Sequence, residues 1–343
     1  MPLGWKCSII TNSSPLVSIG LPIYNRPLSF KKALDSLLSQ TYKNIEINIG
    51  DNSENNESEK IFEEYHHDNR IKYYKHEKNI GASANFMFVS DMANGKYFMW
   101  AADDDYWDST FIEKAVEKLE NDPETVACWP QVQFFNDNGV MNNLPPSFYN
   151  QDLSDDSIIS RLLKLNLQAG WFEFYCLVKT DIVKEFQFGS YKTIGTDVIY
   201  LNYLLLSGKC LMIDEPLFHY CYTYEKSGVY EKHKYKADVY NEYARINPAL
   251  DMFVKCFQLV LNSKKLNPFE KIHYYLEYWL KVLSPRQVWV NQFRRFSIIK
   301  FFNLAIKYKD IYVIIICIPL LFFLSFILLS LRSKEFIRKF IKI

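Results

Sequence analysis

With 343 residues, 49% of them hydrophobic and 17% aromatic, the chain is long enough for one large domain or two small ones around a substantial core. It carries neither a low-complexity run nor an internal repeat. The formal net charge of +1 hides a segregation. From Leu261 onward 15 Lys+Arg stand against 4 Asp+Glu, which leaves Met1 to Val260 at −10. An acidic front and a basic, apolar back argue against nucleic acid as a partner. They argue for a carboxylate-bearing domain tethered to an anionic membrane surface. The seven cysteines form no CxxC pair, which fits reduced, buried thiols better than a disulfide scaffold or a zinc site. Lys6 is the single early basic residue before a short apolar stretch, so the N-terminus does not read as a signal peptide.

In chain order, Leu16 to Leu21 (LVSIGL) predicts a buried strand that ends in the loop chemistry of Pro22-Ile23-Tyr24-Asn25-Arg26-Pro27. Ser29 is placed to cap a helix with apolar positions Phe30, Ala33, Leu34, Leu37 and Leu38. Ile45 to Ile49 alternates as a second strand and stops at Gly50-Asp51-Asn52-Ser53. Glu57 to Tyr65 reads as helix, Ile71 to Tyr74 as strand, Asn79 to Gly81 as turn, Ala82 to Met92 as helix and Tyr97 to Ala101 as strand. Four strand–helix alternations predict an α/β fold with a mixed, mainly parallel sheet and helices on both faces. Ligands of such sheets bind beyond the carboxyl ends of the strands, where four polar clusters fall in this chain. Further on, Thr110 to Asn121 reads as helix and Val126 to Phe135 as strand. Asn136 to Ser157, with Pro145-Pro146, reads as a long loop and Phe172 to Val178 as strand. Asp197 opens an apolar helix from Val198 to Leu206 that Gly208 closes, and the chain reads as helical from Lys236.

Ile311 to Leu331 is 21 residues without a charge, enough to cross or embed in a bilayer at ~20 residues per span. Pro319 interrupts the run, so a kinked span and a monotopic helix both fit. Basic residues flank it on both sides, Lys300, Lys307 and Lys309 before and Arg332, Lys334, Arg338, Lys339 and Lys342 after. The flanks choose no topology and favour both ends on the cytoplasmic face. The expected organisation is an extension over 1–15, a catalytic domain over 16–235, a helical region over 236–310 and a membrane segment with a basic tail over 311–343.

The sharpest feature is WAADDDYWD, Trp100 to Asp108, where an apolar strand runs into Asp103, Asp104 and Asp105. Carboxylates held together at a partly buried rim raise one another's pKa unless a cation neutralises them. A hard divalent ion, Mg2+ or Mn2+, suits such oxygen ligands and leaves positions for phosphate oxygens.

The ordered motifs VSIGLPIYNR, GDNSEN, EKNIGASAN, ADDDYW and TDVIYLNYLLLSGK resemble those of the family 2 glycosyltransferases, which have a GT-A fold. The resemblance covers roughly residues 16 to 225 and is strongest to bacterial members that build O-antigen, capsule or related surface glycans. It implies that Pro22, Tyr24 and Asn25 line the base and ribose pocket, that Asp51 accepts a hydrogen bond from uracil, and that Asn79, Gly81 and Asn85 shape the loop beside the nucleotide. It implies that Asp103 and Asp104 contact ribose and metal and that Asp104 and Asp105 hold the Mg2+ or Mn2+. The family pattern is Asp-x-Asp-Asp, and Ala102 stands at its first position, so the division of roles among the three aspartates stays open. Asp197 is implied as the base of an inverting transfer. The family often has Glu-Asp there and this chain has Thr196-Asp197; an N-cap role is the plain alternative. Trp171 and Glu173 fall where such enzymes meet sugar or acceptor, though Trp171 also suits a core, and His219 suits a structural role better than a metal or phosphate contact. The implied reaction moves a sugar from a nucleotide-sugar, a UDP-sugar first, to a hydroxyl of a lipid-linked glycan at the cytoplasmic face of the bacterial inner membrane. A polyprenyl-phosphate sugar synthase and an inactive relative that binds glycans or proteins at the membrane are the alternatives.

Overall fold

The structure, a computed structural model, describes residues 14–136, 138–141, 152–167, 170–188, 191–193, 195–222 and 248–282, with Asn303 and Lys307 singly. The predicted membrane segment at 311–343 lies outside the described residues, as do residues 1–13, 142–151 and 223–247. Among the described residues no helix is long and apolar enough to cross a membrane. Pairs of cysteines joined by disulfides are likewise absent among them: Cys128, Cys176, Cys210 and Cys256 are buried free thiols.

The strands are β1 (Val17–Ile23), β2 (Ile45–Asp51), β3 (Ile71–Lys75), β4 (Tyr97–Trp100), β5 (Tyr106–Trp107), β6 (Thr125–Asn136), β7 (Gly139–Val140), β8 (Leu177–Lys179) and β9 (Lys209–Cys221). The helices are α1 (Pro27–Leu38), α2 (Glu57–Phe62), α3 (Ala82–Asp91), α4 (Phe111–Asn121), α5 (Ile158–Leu167), α6 (Thr180–Phe186), α7 (Thr196–Ser207), α8 (Pro248–Asn262) and α9 (Pro268–Val282). The strands form one sheet in the order β3-β2-β1-β4-β8-β6-β9-β5, with β7 on β6. Parallel pairing joins β3, β2, β1 and β4, and again β6 and β9. The pairs β4–β8, β6–β8, β5–β9 and β6–β7 are antiparallel. The sheet is therefore mixed, as expected, with parallel pairing through the first four strands and again between β6 and β9.

Other local readings are corrected by packing. The chain after Leu21 stays in β1 through Ile23, because Pro22 and Ile23 pair with Gly50 and Asp51. Ser29 caps nothing: Arg26 is the N-cap residue of α1 and Pro27 opens the helix, where its missing N–H is no loss. Phe172–Tyr175 is a 3-10 turn before the short β8, not a strand: the tight turn brings the Phe174 and Tyr175 rings edge-on within 5.3 Å of each other instead of alternating them across a sheet.

β4 shows how the core is built. Successive side chains of a strand face opposite ways, so Tyr97 and Met99 enter one apolar cluster, with β1, α1 and α4, while Phe98 and Trp100 enter the other, with α3 and α5 to α9. Burial on both faces explains the unbroken apolar run. Trp100 stacks on Phe174 at 4.9 Å, meets Tyr200 edge-on at 5.2 Å and donates its indole N–H to the Phe86 carbonyl at 3.0 Å. The helices α8 and α9 belong to this second cluster, so the helical C-terminal region packs into the same core as the sheet.

Glu46 on β2 is one of the buried polar side chains of the sheet. Its carboxylate accepts from the Ser18 hydroxyl at 2.6 Å and the Asn94 amide N–H at 2.8 Å, and it pairs with Lys72 at 2.6 Å. Burial works to raise its pKa, but these donors outweigh it and hold the group at about 2, below an ordinary 4.5. A depressed folded-state pKa contributes stability that is complete above the unfolded value and is lost as pH falls through the folded one. Chemical denaturation followed from pH 5 to pH 2 should therefore show a decline in stability that is shallower in Glu46→Gln, with the variant less stable than the wild type near neutrality.

Candidate active site

The parallel strands β1 to β4 end along one edge, and the order reverses between β1 and β4, the position at which open α/β sheets hold ligands. The chain leaving β1 turns sharply at Asn25, which takes a left-handed conformation with φ 51°. The turn is held by the Asn25 amide N–H, which donates to Ser53 Oγ at 2.9 Å, and by Asn25 Oδ1, which accepts the Glu54 amide N–H at 3.1 Å. It sends Tyr24 and Arg26 across the switch point to the aspartates after β4. The Tyr24 amide N–H donates to Asp103 Oδ2 at 3.0 Å. Arg26 Nη1 donates to Asp103 Oδ1 at 2.8 Å and lies 3.2 Å from Asp104 Oδ2. Burial pushes the Asp103 carboxyl above the usual carboxylate range, and the Arg26 charge opposes that rise.

The three aspartates thus have different surroundings. Asp105 is buried, and its Oδ1 accepts the Cys221 amide N–H from the end of β9 at 2.8 Å. Asp103 and Asp104 converge on one cationic nitrogen, so their oxygens fit a hard cation at that point. Among the described residues no group of three or more metal-ligating side chains comes together. An ion here would rest on this carboxylate pair and complete its shell with water or phosphate oxygens.

Asp197 lies in the first turn of α7, while the N-cap position is Gly195 at φ 70°. Its carboxylate accepts the amide N–H groups of Val198 and of Asp197 itself, yet burial pushes its pKa up. Burial raises the Tyr175 hydroxyl pKa, and the charges of Asp105, Asp104 and Asp197 add to the rise, so one side chain senses both the aspartate row and Asp197. A Cβ on Gly195 would fall 2.1 Å from Met252 Sδ, so α8 presses directly on the start of this helix.

A second wall is built at the ends of β2 and β3. Asp51 is fully buried: Ser53 N–H donates to its Oδ1 at 2.7 Å, and the Tyr73 hydroxyl and Lys75 Nζ reach its Oδ2 at 2.5 and 3.3 Å. The residue expected to face a base is thus a hub that fixes two partly buried side chains of β3. Asn52 carries the loop beside it, donating to the Gly81 carbonyl at 3.1 Å and accepting the Ile80 amide N–H at 3.2 Å. Asn79 Oδ1 accepts the Gly81 amide N–H at 2.8 Å, and Gly81, at φ 89°, takes a turn that side chains resist. Asn85 is buried, donates to the Gly50 carbonyl at 2.7 Å and accepts from His76 Nε2 at 3.0 Å. Gly50 is required there, because a Cβ would lie 2.2 Å from Asn85 Oδ1. Between these groups opens a cleft of about 670 Å³ lined by Ser53, Glu54, Lys75, His76 and Asn79 among others.

Of the expected residues, Tyr24, Asn25, Asp103 and Asp104 meet at one point, and Asp51, Asn79, Gly81 and Asn85 form the neighbouring wall. Pro22 is buried within β1. Trp171 packs against the second core cluster and Glu173 is fully buried. His219 stacks flat on Tyr106 at 4.4 Å, a consequence of their pairing across β5 and β9. The sequence reading missed Arg26, Tyr73, Lys75 and His76. Arg26 sat inside the motif VSIGLPIYNR but was assigned only to loop chemistry, and Tyr73 and Lys75 share the Ile71 face of β3, where alternation alone gives a polar group no role.

Residues 18–174 match the family model described as glycosyl transferase family 2. This segment belongs to that family. An uncharacterized glycosyltransferase of Rickettsia prowazekii is 39% identical over 119 residues, 34% of this chain and 36% of that protein. The chain spans 36% to 41% of the length of such curated relatives. Among solved structures, S. aureus TarS 1-349 in complex with UDP-GlcNAc is similar with a TM-score of 0.62 at 15% identity, covering 84% of this chain and 80% of that one. A mannosyltransferase of Pyrobaculum calidifontis, PcManGT, in complex with GDP-Man and Mn2+, is similar at a TM-score of 0.50 and 14% identity, covering 78% of this chain and 70% of that one. At these identities the likeness establishes the GT-A fold, and it extends past the family match into the C-terminal part of the chain.

Proposed function

We propose that the chain is an inverting glycosyltransferase that moves a sugar from a nucleotide-sugar, a UDP-sugar first, to a hydroxyl of a lipid-linked glycan in bacterial surface-polysaccharide synthesis. The observation that carries this reading is the meeting of Tyr24, Arg26, Asp103 and Asp104 at the β1–β4 switch point. The family membership and the UDP-GlcNAc carried by the similar TarS support a nucleotide-sugar as donor.

In this reading the nucleotide lies in the cleft beside β2 and β3, with its base along Ser53, Lys75 and His76. Its ribose reaches Asp103, and its diphosphate lies at Asp104. Asp104, with Asp103 or Asp105, would hold a Mg2+ or Mn2+ that supplies positive charge against the departing diphosphate; the Mn2+ of PcManGT is the parallel. The acceptor oxygen attacks the anomeric carbon as the bond from that carbon to the diphosphate oxygen breaks. The hydroxyl proton passes to the Asp197 carboxylate, and the nucleoside diphosphate leaves. Burial favours this role, because a raised pKa makes Asp197 a better proton acceptor than an ordinary surface carboxylate. The uncharged run Ile311–Leu331 and the basic excess after Leu261 support placing the acceptor at the cytoplasmic face of the inner membrane. The apolar face that α9 turns outward, with Phe269 at 85%, Ile272 at 57% and Leu276 at 54% exposure, points the same way.

Calorimetric titration of UDP and of GDP, each with and without Mn2+, should give metal-enhanced UDP binding that Asp104→Ala abolishes; absence of nucleotide binding under every condition sinks the reading. Asp197→Asn should reduce turnover by ~100-fold or more while UDP still binds. Unchanged turnover would leave Asp197 a purely structural residue of α7. Deleting residues 311 to 343 should move the protein from the membrane pellet to the soluble fraction on cell fractionation.

A further inference from the structure

Arg26 is the one cationic side chain seen in contact with both Asp103 and Asp104 among the described residues, and nothing in the transfer chemistry above uses it. Its nitrogen stands where the two carboxylates converge, at 2.8 and 3.2 Å. The contact spans 77 residues of sequence and exists only because the left-handed turn at Asn25 redirects the chain. The two ends of the pair are unequal. The Asp103 and Asp104 side chains are 7% and 12% exposed, whereas Arg26 is 49% exposed. The carboxylates are anchored, and the guanidinium is a long arm laid over them from the solvent side. Asp103 keeps a second, fixed partner in the Tyr24 amide N–H. Two carboxylates that converge on one guanidinium nitrogen repel each other once that charge is withdrawn, so another cation has to take its place.

We propose that Arg26 is the resident, displaceable cation of the donor site. It holds Asp103 and Asp104 aligned while no donor is bound, and it yields Asp104 to the divalent ion that arrives with the nucleotide diphosphate. The proposal rests on the donor-site reading of this rim. It deepens that reading by making donor and metal binding mutually dependent. A bare divalent ion must displace a bound guanidinium without compensation. A diphosphate brings charge of its own, on which the released Arg26 can close.

The inference has a signed consequence. A residue that merely orients Asp103 would, on removal, loosen the site and weaken metal binding. A competing cation would, on removal, strengthen it. In the full-length protein, Mn2+ alone, measured by the paramagnetic signal of free ion, should bind Arg26→Gln about fivefold more tightly than wild type. The factor by which saturating UDP tightens Mn2+ binding should shrink in the same variant. Arg26→Lys, which keeps the charge, should behave as wild type in both respects. Thermal melting of each variant checks that the fold is retained, as the exposure of Arg26 predicts. The proposal is overturned if wild type binds UDP with Mn2+ and Arg26→Gln binds bare Mn2+ equally or more weakly. If wild type binds neither UDP nor Mn2+, the donor-site reading falls, and the role of Arg26 falls with it.

Discussion

The site depends on one constraint: β4 is buried on both faces and stops at the switch point of the sheet. Tyr97 and Met99 fill one core, Phe98 and Trp100 the other, and the strand has no freedom to slide. A one-residue slip would send each of these side chains into the opposite layer. The residues that follow are therefore delivered to a fixed place, however unfavourable their charge. Three adjacent carboxylates could not hold themselves in one spot; the aromatic packing around Trp100 does it for them, at the adjoining carboxyl end of β1.

What stabilises those carboxylates is a division of labour. Asp103 receives a backbone amide from Tyr24 and a guanidinium from Arg26, and Asp105 receives a backbone amide from Cys221. Backbone donors cannot leave, because their positions are set by β1 and β9. The guanidinium can. The rim accordingly has fixed donors on the buried oxygens and a movable one toward solvent, the arrangement expected where an incoming cation has to replace a resident one. The second wall lacks this mobility. Asp51, Asn52 and Asn85 spend their hydrogen bonds internally, holding β3 and the 79–81 loop in shape, so the groups offered to a ligand are those they support.

The elements legible in the sequence were those decided by local pattern. Alternation and helical spacing located β1 to β4, α1, α3 and α4, and turn residues marked the four polar strand ends. Which strands run antiparallel was not legible, because β8 is three residues long and its pairing with β4 and β6 is decided by distant packing. β5, only Tyr106–Trp107, exists because β9 offers it His219 and Phe218. In the site, motif order pointed to the aspartates and to the 79–81 loop, which follow β4 and β3 in the fold. It could not reveal that Asp51 is satisfied from within, since Tyr73 and Lys75 meet it only through strand register. Nor could it reveal Arg26 over the aspartates, a contact made by a left-handed Asn25.

The C-terminal helices extend the same logic to the proposed base. α8 and α9 share a core with α5 and α7, and Asn202 of α7 bonds to Asn166 of α5 and to Cys256 of α8. A buried polar link of this kind fixes the register of packed helices, since a slip would strand its donors and acceptors. Met252 of α8 meanwhile closes on Gly195, just before Asp197. The position of Asp197 is thus set from the C-terminal side, whereas Asp103 to Asp105 are set by the sheet. Trp100 of β4 meets Tyr200 of α7 edge-on at 5.2 Å, so the helix that carries Asp197 and the strand that delivers the aspartates also brace each other through one core.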